Sequence, residues 1–303
     1  MLRGLSAATD PASITAIVNT ADDTVMHGLN ISPDLDTVTY TLAEAIDPER
    51  GWGLVNESWR TMESLARYTP QRPSGSTAGG TWFNLGDRDL ATHLYRTARL
   101  DEGATLTEVT AEIISSWGLP QTILPMTDAP VRTRVRVDGA WMAFQEYFVG
   151  TRHSVAVEAI DFAGIEQAKP TNAVLDALHA TPCVVIAPSN PLVSIGPLLA
   201  MPQLRDVLVR RRDRVVGVSP IVAGAALKGP ADRMLVELGH EPSVVGVARI
   251  YAPFCSTFII DDQDADRADE VRALGMRCIV TDTIMKSPEV SAALGRTALE
   301  ALA

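Results

Sequence analysis

Four short apolar runs in the C-terminal half constrain the fold more than any other feature. They are residues 182–187 (P-C-V-V-I-A), 215–218 (V-V-G-V), 254–260 (F-C-S-T-F-I-I) and 277–280 (R-C-I-V). The segments between them carry helical spacing, most clearly at 265–274. A strand that is apolar throughout is buried on both faces, and such strands joined through helices make a parallel sheet with right-handed crossovers. A fifth run, 14–18, stands near the N-terminus behind a short helical segment, 1–8. The pattern predicts an α/β fold, a Rossmann-like parallel sheet with helices on both faces.

Residues 51–165 have a different texture. Gly51-Trp-Gly53 is a turn signal, 57–68 is a short helical segment, and 71–80 is rich in Pro, Ser, Thr and Gly, which reads as a mobile loop. Helical periodicity returns at 89–98 and 107–117. Residues 131–137 alternate V-R-T-R-V-R-V, which predicts a strand with one apolar and one basic face, and 141–149 reads as its strand partner. The expected organisation is a nucleotide-binding core of 1–50 and 166–303, with 51–165 as an α+β insertion.

Charge and cysteine usage exclude several functions. The formal net charge is −11, the wrong sign for a nucleic-acid binder. The densest basic run, 210–214, reads as a solvated helix end. Three cysteines, Cys183, Cys255 and Cys278, lie far apart in apolar runs without metal-ligand spacing, as buried free thiols do in a reducing compartment. No apolar stretch is long enough to span a membrane and the N-terminus has no signal-peptide pattern, so a cytoplasmic protein is expected.

Chemistry is concentrated beyond the first strand. Asp22, Asp23, Asp34 and Asp36 follow 14–18 within fifteen positions, where open α/β sheets place their ligands. Hard carboxylate oxygens suit Mg²⁺ shared with substrate phosphates. The alternative is a solvated Asp22-Asp23 turn and a capped helix over 36–45, with Asp34 or Asp36 as the cap. A second cluster, Gly86-Asp-Arg-Asp89, is followed by His93, four residues after Asp89 and on the same helix face. Arg88 there suits a phosphate or planar ligand, or the cluster is a capped helix start with a surface ion pair.

Weaker signals follow the later strands. Pro188-Ser-Asn-Pro191 with Ser194, Gly196 and Pro197 leaves room for backbone N–H groups to approach phosphates, or is an ordinary strand–turn–helix connection. Ser219-Pro220-Ile221 with Lys228 repeats that placement one unit later, and Asp282 lies beyond the last strand, where it suits a base or ribose. There is no Walker A loop, no G-x-G-x-x-G after a strand and no G-x-S-x-G. Residues 262–266 fail as a calcium loop, because Arg267 and Ala273 stand where Gly and Glu are needed. His27, His153, His179 and His240 have no partner spacing for zinc or a triad.

Six segments in collinear order carry a specific resemblance: T-A-I-V-N-T-A-D-D-T-V-M-H-G-L, S-P-D-L-D-T-V-T-Y-T-L, D-P-E-R-G-W-G, T-W-F-N-L-G-D-R-D-L-A-T-H-L-Y-R-T, I-A-P-S-N-P-L-V-S-I-G-P and V-V-G-V-S-P-I-V. Together they resemble the 2-phospho-L-lactate transferase family of deazaflavin coenzyme (F-420) biosynthesis, whose actinobacterial members act as phosphoenolpyruvate transferases. The resemblance covers nearly the whole chain. It implies transfer of a phospholactate or phosphoenolpyruvate group from a guanosine diphosphate-linked donor to the ribityl hydroxyl of the deazaflavin Fo, with GMP leaving. Mg²⁺ is the implied cofactor and a homodimer the implied assembly. Carried over by position, Asp34, Arg88, Asp89 and His93 would face the deazaflavin. Asn19, Ser189, Asn190, Ser194, Ser219, Pro220, Ile221, Lys228 and Asp282 would face the nucleotide. Asp22, Asp23 and Asp34 would surround the metal, and Asp34 or Asp36 would act as base.

Two departures accompany the resemblance. The family pattern opens with a strand and a G-G-x-G-G-x-[KR] loop, whereas this sequence starts at Met1-Leu-Arg-Gly-Leu5. That strand and its phosphate-cradling glycines are therefore expected to be missing from this chain, which bears on donor binding. Residues 71–80 also run longer than the expected connection. A related family of morphogenesis regulators supplies the alternative reading, a non-catalytic nucleotide-sugar-binding protein; S-P-D-L-D together with G-D-R-D favours the transferase.

Overall fold

The structure is a computed structural model, and it describes residues 1–303 except Thr77, Gly79, Thr81 and Ala303. It is a mixed α/β fold with parallel sheets and helices. The four C-terminal runs form one parallel sheet, in the order Arg277–Val280, Thr257–Ile260, Val215–Val218, Val184–Ile186. Burial on both faces explains the mainly apolar sequences of the two central strands, while Arg277 on the edge strand is exposed. Val215, Phe258, Ile260 and Cys278 join the largest core cluster on one side, with Leu204, Leu235, Val247 and Val271 from the helices. Val216, Val218 and Ile259 pack on the other side against Leu294 and Ala298 of the helix Pro288–Glu300. Cys255 and Cys278 are buried and Cys183 half-buried, and all three are free thiols.

The N-terminal helix Leu2–Ala8 lies against Pro288–Glu300 at close range. Glycines make the approach possible: a Cβ on Gly4 would sit 2.0 Å from the Ser291 carbonyl oxygen, and one on Gly295 would sit 2.5 Å from the Gly4 carbonyl oxygen. Only a residue without Cβ fits such a crossing.

The run at 14–18 forms the strand Thr15–Val18, which pairs in parallel with Thr122–Pro125, a strand that the sequence did not mark. Helix Leu106–Ser116 packs on the latter, after a capping box in which Thr105 and Glu108 exchange hydrogen bonds. Arg132–Val137 is the central strand of a three-stranded antiparallel sheet, between Ala140–Ala143 and Ala159–Ala163. Its two faces separate as expected. Thr133, Val135 and Val137 are buried, while Arg134 and Arg136 pair on the surface with Asp161 and Glu158.

Three expectations need correction. The partner strand ends at Ala143 and does not reach 149; Glu146–Gly150 is a π-helical turn. Phe144, Tyr147 and Phe148 repeat at three- and four-residue spacing, which serves one face of a helix. The acidic helix begins at Pro33, not Asp36, and runs Pro33–Leu42 with Ser32 as its N-cap residue. Neither Asp34 nor Asp36 caps it; both occupy its first turn, where the helix dipole favours negative charge. The segment 265–274 divides into a 3-10 turn, Asp262–Arg267, and a helix, Ala268–Ala273. Of the 71–80 loop, Thr77 and Gly79 lie outside the described residues. Among the described residues no helix is long and apolar enough to cross a membrane.

Candidate active site

The parallel strands end facing one cavity of about 1080 Å³. Asp22 lines it just beyond Thr15–Val18, Ser189 and Asn190 beyond Val184–Ile186, and Ser219 and Pro220 beyond Val215–Val218. Thr283 and Lys286 complete that side beyond Arg277–Val280. This is where open α/β sheets bind ligands.

One wall is acidic. Asn19 is buried, its Oδ1 accepts the Ala21 N–H at 2.9 Å, and its Nδ2 donates to Asp34 Oδ2 at 3.0 Å. The Asn19 side chain therefore joins the strand end to the first turn of Pro33–Leu42. Asp22 and Asp34 both line the cavity. Burial raises the Asp22 carboxyl well above the ordinary carboxylate value, and the Asp34 charge raises it further. Burial raises Asp34 as well, partly offset by the Asn19 hydrogen bond. Asp23 lines a smaller cavity of about 240 Å³ that Asp22 shares. Its Oδ2 accepts from the Ser32 hydroxyl at 2.7 Å, and burial pushes its pKa up to about 7. Asp22 Oδ1 and Asp23 Oδ1 are buried with no hydrogen-bond partner among the described residues. Buried carboxylate oxygens without donors are costly unless a cation balances them. The donor set is all oxygen, so these residues fit a hard divalent ion such as Mg²⁺.

A second acidic group is arranged differently. Asp36, Asp89 and His93 each offer one ligand atom, all within 4.8 Å of one another, a geometry that a metal ion could use. In this group, however, a protein cation is present. Arg96, buried on Asp89–Asp101, donates to both oxygens of Asp36, from Nη1 at 3.2 Å and more closely from Nη2. Tyr40 donates its hydroxyl to Asp89 Oδ1 at 2.5 Å, and His93 Nε2 lies 3.2 Å from Asp89 Oδ2. Burial works against the Asp89 carboxylate, but His93, Tyr40 and Arg96 outweigh it and hold its pKa below the usual value. Burial likewise opposes the Arg96 charge, and Asp36 more than restores it.

The opposite wall carries Trp52, Trp82, Phe83, Phe144 and Phe148, with Phe144 and Phe148 stacked at 5.5 Å between centroids. Trp52 and Trp82 are each more than two-fifths exposed, unusual for large aromatics and suited to covering a planar ligand. These rings come from separate segments; Trp52, Trp82 and Phe83 fall in segments that carry the family resemblance, but nothing in the sequence grouped them into one wall. Arg96 and Lys286 were missed as well. The helix spacing of Asp89, His93 and Arg96 was the available signal for Arg96.

Most predicted positions meet in this cavity: Asp22, Asp34, Asp36, Asp89, His93, Ser189, Asn190, Ser194, Ser219, Pro220 and Lys228 all line it. Asn19, Asp23, Arg88, Ile221 and Asp282 do not. Arg88 is exposed; its Nη1 donates to the Val55 carbonyl at 2.6 Å, and its N–H, like that of Asp89, donates to Glu57. Ile221 is fully buried and exchanges hydrogen bonds with the Ser219 hydroxyl, which fixes that turn. Asp282 pairs with Lys286 at 2.9 Å.

Comparison with known proteins agrees with the sequence reading. Residues 1–293 match the family described as 2-phospho-L-lactate transferase CofD. A phosphoenolpyruvate transferase of Streptomyces griseus is 43% identical over 304 aligned positions, covering 99% of this chain and 93% of the relative. A 2-phospho-L-lactate transferase of Methanosarcina mazei is 37% identical, covering 99% and 96%. A crystal structure of a UPF0052-family protein from Bacillus halodurans superposes with a TM-score of 0.59 at 15% identity, over 98% of this chain and 94% of that one, a likeness of fold.

Proposed function

The chain belongs to the 2-phospho-L-lactate transferase CofD family, a transferase family of coenzyme F-420 biosynthesis, and from that membership we propose its reaction and site. It moves a phospholactate or phosphoenolpyruvate group from a guanosine diphosphate-linked donor to the ribityl hydroxyl of Fo, and GMP leaves. The single observation carrying this reading is that one cavity combines the acidic wall, the aromatic wall and the loops beyond the parallel strands.

Phosphoryl transfer needs in-line positioning and neutralised charge more than covalent chemistry. Asp22 and Asp34 would hold Mg²⁺ in the cavity, with Asp23 behind them. The ion, when bound, neutralises charge on the diphosphate. Asn19 keeps Asp34 in place through Oδ2, which leaves Asp34 Oδ1 as the candidate acceptor for the ribityl hydroxyl proton. Asp36, held by Arg96, is the lesser candidate. The Ser189–Asn190 and Ser219–Pro220 loops, with Lys228, take the guanosine diphosphate side of a Rossmann-like core formed by 1–50 and 166–303. Residues 51–165 bring Trp52, Trp82 and Phe148 to the deazaflavin. Arg88 lies outside the cavity with its guanidinium on the Val55 carbonyl, so a role at the deazaflavin would require it to leave that carbonyl. We also infer a homodimer, which sedimentation at working concentration tests.

The decisive experiment incubates the protein with Fo, Mg²⁺ and each guanylated donor in turn, and follows GMP. Release with one donor identifies the three-carbon acid. No GMP with either donor, from protein shown to be folded, would remove this reading.

A further inference from the structure

Four carboxylates line this cavity and a fifth, Asp23, stands behind them in the smaller one, and the structure divides them into two sets. Among the described residues, Asp22, Asp23 and Asp34 have no basic side chain bonded to them, whereas Asp36 is held through both oxygens by Arg96. We propose that Arg96 is the resident cation of the Asp36–Asp89–His93 group and a positioning residue for the reaction. It closes that group to metal and leaves the Asp22–Asp34 wall as the one that takes the divalent ion. The inference deepens the function proposed above and rests on its metal reading.

The geometry carries the argument. Arg96 is 2% exposed, and a bidentate guanidinium–carboxylate pair at that depth is both directional and hard to displace. Its Nη1 also lies 3.4 Å from the Asn30 carbonyl oxygen and 3.4 Å from His93 Nδ1. One guanidinium thus contacts the strand Leu29–Ile31, the acidic helix Pro33–Leu42 and its own helix Asp89–Asp101. Asp89 Oδ1 accepts from Tyr40, while His93 Nε2 stands 3.2 Å from Asp89 Oδ2 without a hydrogen-bond partner among the described residues, so Arg96 on Asp36 is what occupies the group. A metal ion entering this group would have to displace Arg96 from Asp36 and leave a buried guanidinium unpaired, which is strongly unfavourable. Asp34 lies two residues before Asp36 in the same helical turn, so the clamp on Asp36 also fixes where Asp34 stands.

The test uses the full chain with Mn²⁺ alone as probe, read by electron paramagnetic resonance with pulsed detection of nitrogen coupling. Wild type is expected to bind Mn²⁺ without imidazole coupling, and His93→Gln to change its affinity less than about threefold. Asp34→Asn should weaken it tenfold or more, in keeping with loss of a carboxylate ligand. Arg96→Gln uncovers Asp36 and should admit an additional Mn²⁺ that shows imidazole coupling, whereas Arg96→Lys should not. Imidazole coupling in the wild type, or loss of its Mn²⁺ in His93→Gln, would overturn the proposal. If Arg96→Gln fails to fold, the wild-type spectrum and His93→Gln still decide. A wild type that binds no Mn²⁺ would remove the metal reading of the proposed function and, with it, the metal-binding role of the Asp22–Asp34 wall.

Discussion

Asn19 Nδ2 donates to Asp34 Oδ2 at 3.0 Å, tying the end of the first strand to the first turn of the acidic helix across fifteen residues. That bond orients a carboxylate whose burial raises its pKa, at the edge of a cavity where charge must be neutralised. Asp34→Asn keeps the shape and removes the charge. Turnover should fall about 100-fold or more, with circular dichroism and Tm near wild type. Asn19→Ala leaves the charge but frees its orientation, and a loss of roughly tenfold is expected. Wild-type GMP release from Asp34→Asn would take Asp34 out of the chemistry.

Asp23 makes metal-free stability depend on pH. Its folded pKa is about 7, whereas an unfolded aspartate titrates near 3.9. Between those values the folded state binds more protons than the unfolded one, so this group's contribution to stability is lost as pH rises through that window. Urea unfolding in chelator should show wild type losing stability between pH 5 and pH 8 relative to Asp23→Asn, by roughly 1–2 kcal/mol after allowance for solvent screening. Parallel profiles for the two proteins would contradict the assignment.

Trp52 and Phe148 line the wall facing the acids, and their rings suit a planar acceptor. Phe148→Ala removes stacking area without touching a charged group, whereas Trp52→Ala also removes the ring that the Arg50 guanidinium covers at 5.5 Å. The acceptor KM should rise about tenfold, with kcat and donor KM within threefold of wild type. Steady-state kinetics with Fo varied at saturating donor separates these effects, and an unchanged acceptor KM in both variants would count against an aromatic platform.

Strands at 215–218 and 257–260 were legible in the sequence because burial on both faces leaves almost only apolar residues there, Thr257 being the exception. Thr122–Pro125 was not, being four residues long and recognisable only through its pairing with Thr15–Val18. The reading of 141–149 as strand failed because Phe144, Tyr147 and Phe148 fit a helical turn better than alternation. In the site, the acidic motifs were visible, but their division was not. A sequence does not distinguish an exposed helical arginine from one buried on Asp36. The aromatic wall comes from 52, 82–83 and 144–148, segments joined only by the fold.

The contact between the first and last helices gives a prediction about stability alone. A methyl group at Gly4 would meet the Ser291 carbonyl at 2.0 Å, and backbone cannot move aside as a flexible side chain does. Gly4→Ala should lower stability by about 1–3 kcal/mol, seen as a reduced Tm. Activity per folded molecule should persist, because the crossing lies outside the cavity. An unchanged Tm would mean that the two helices pack less closely than this.

Lys228 and Lys286 both line the cavity, yet they are not equivalent. Lys286 is paired with Asp282 at 2.9 Å, while among the described residues no carboxylate pairs with Lys228. An uncompensated ammonium lining the same cavity as the Ser219–Pro220 loop, with its Nζ 3.3 Å from where a Cβ on Gly51 would stand, can meet a diphosphate, and its partner then comes from the donor. Lys228→Met should raise donor KM by about tenfold or more and leave acceptor KM within threefold. The wild-type donor KM should climb with ionic strength, and that dependence should flatten in the variant, because screening acts on the charge that has been removed. Lys286→Met, which removes a charge already balanced by Asp282, should have the smaller effect. If Lys286→Met raised donor KM more than Lys228→Met, the donor phosphates would lie toward Thr283–Lys286 and the nucleotide side of the cavity would have to be reassigned.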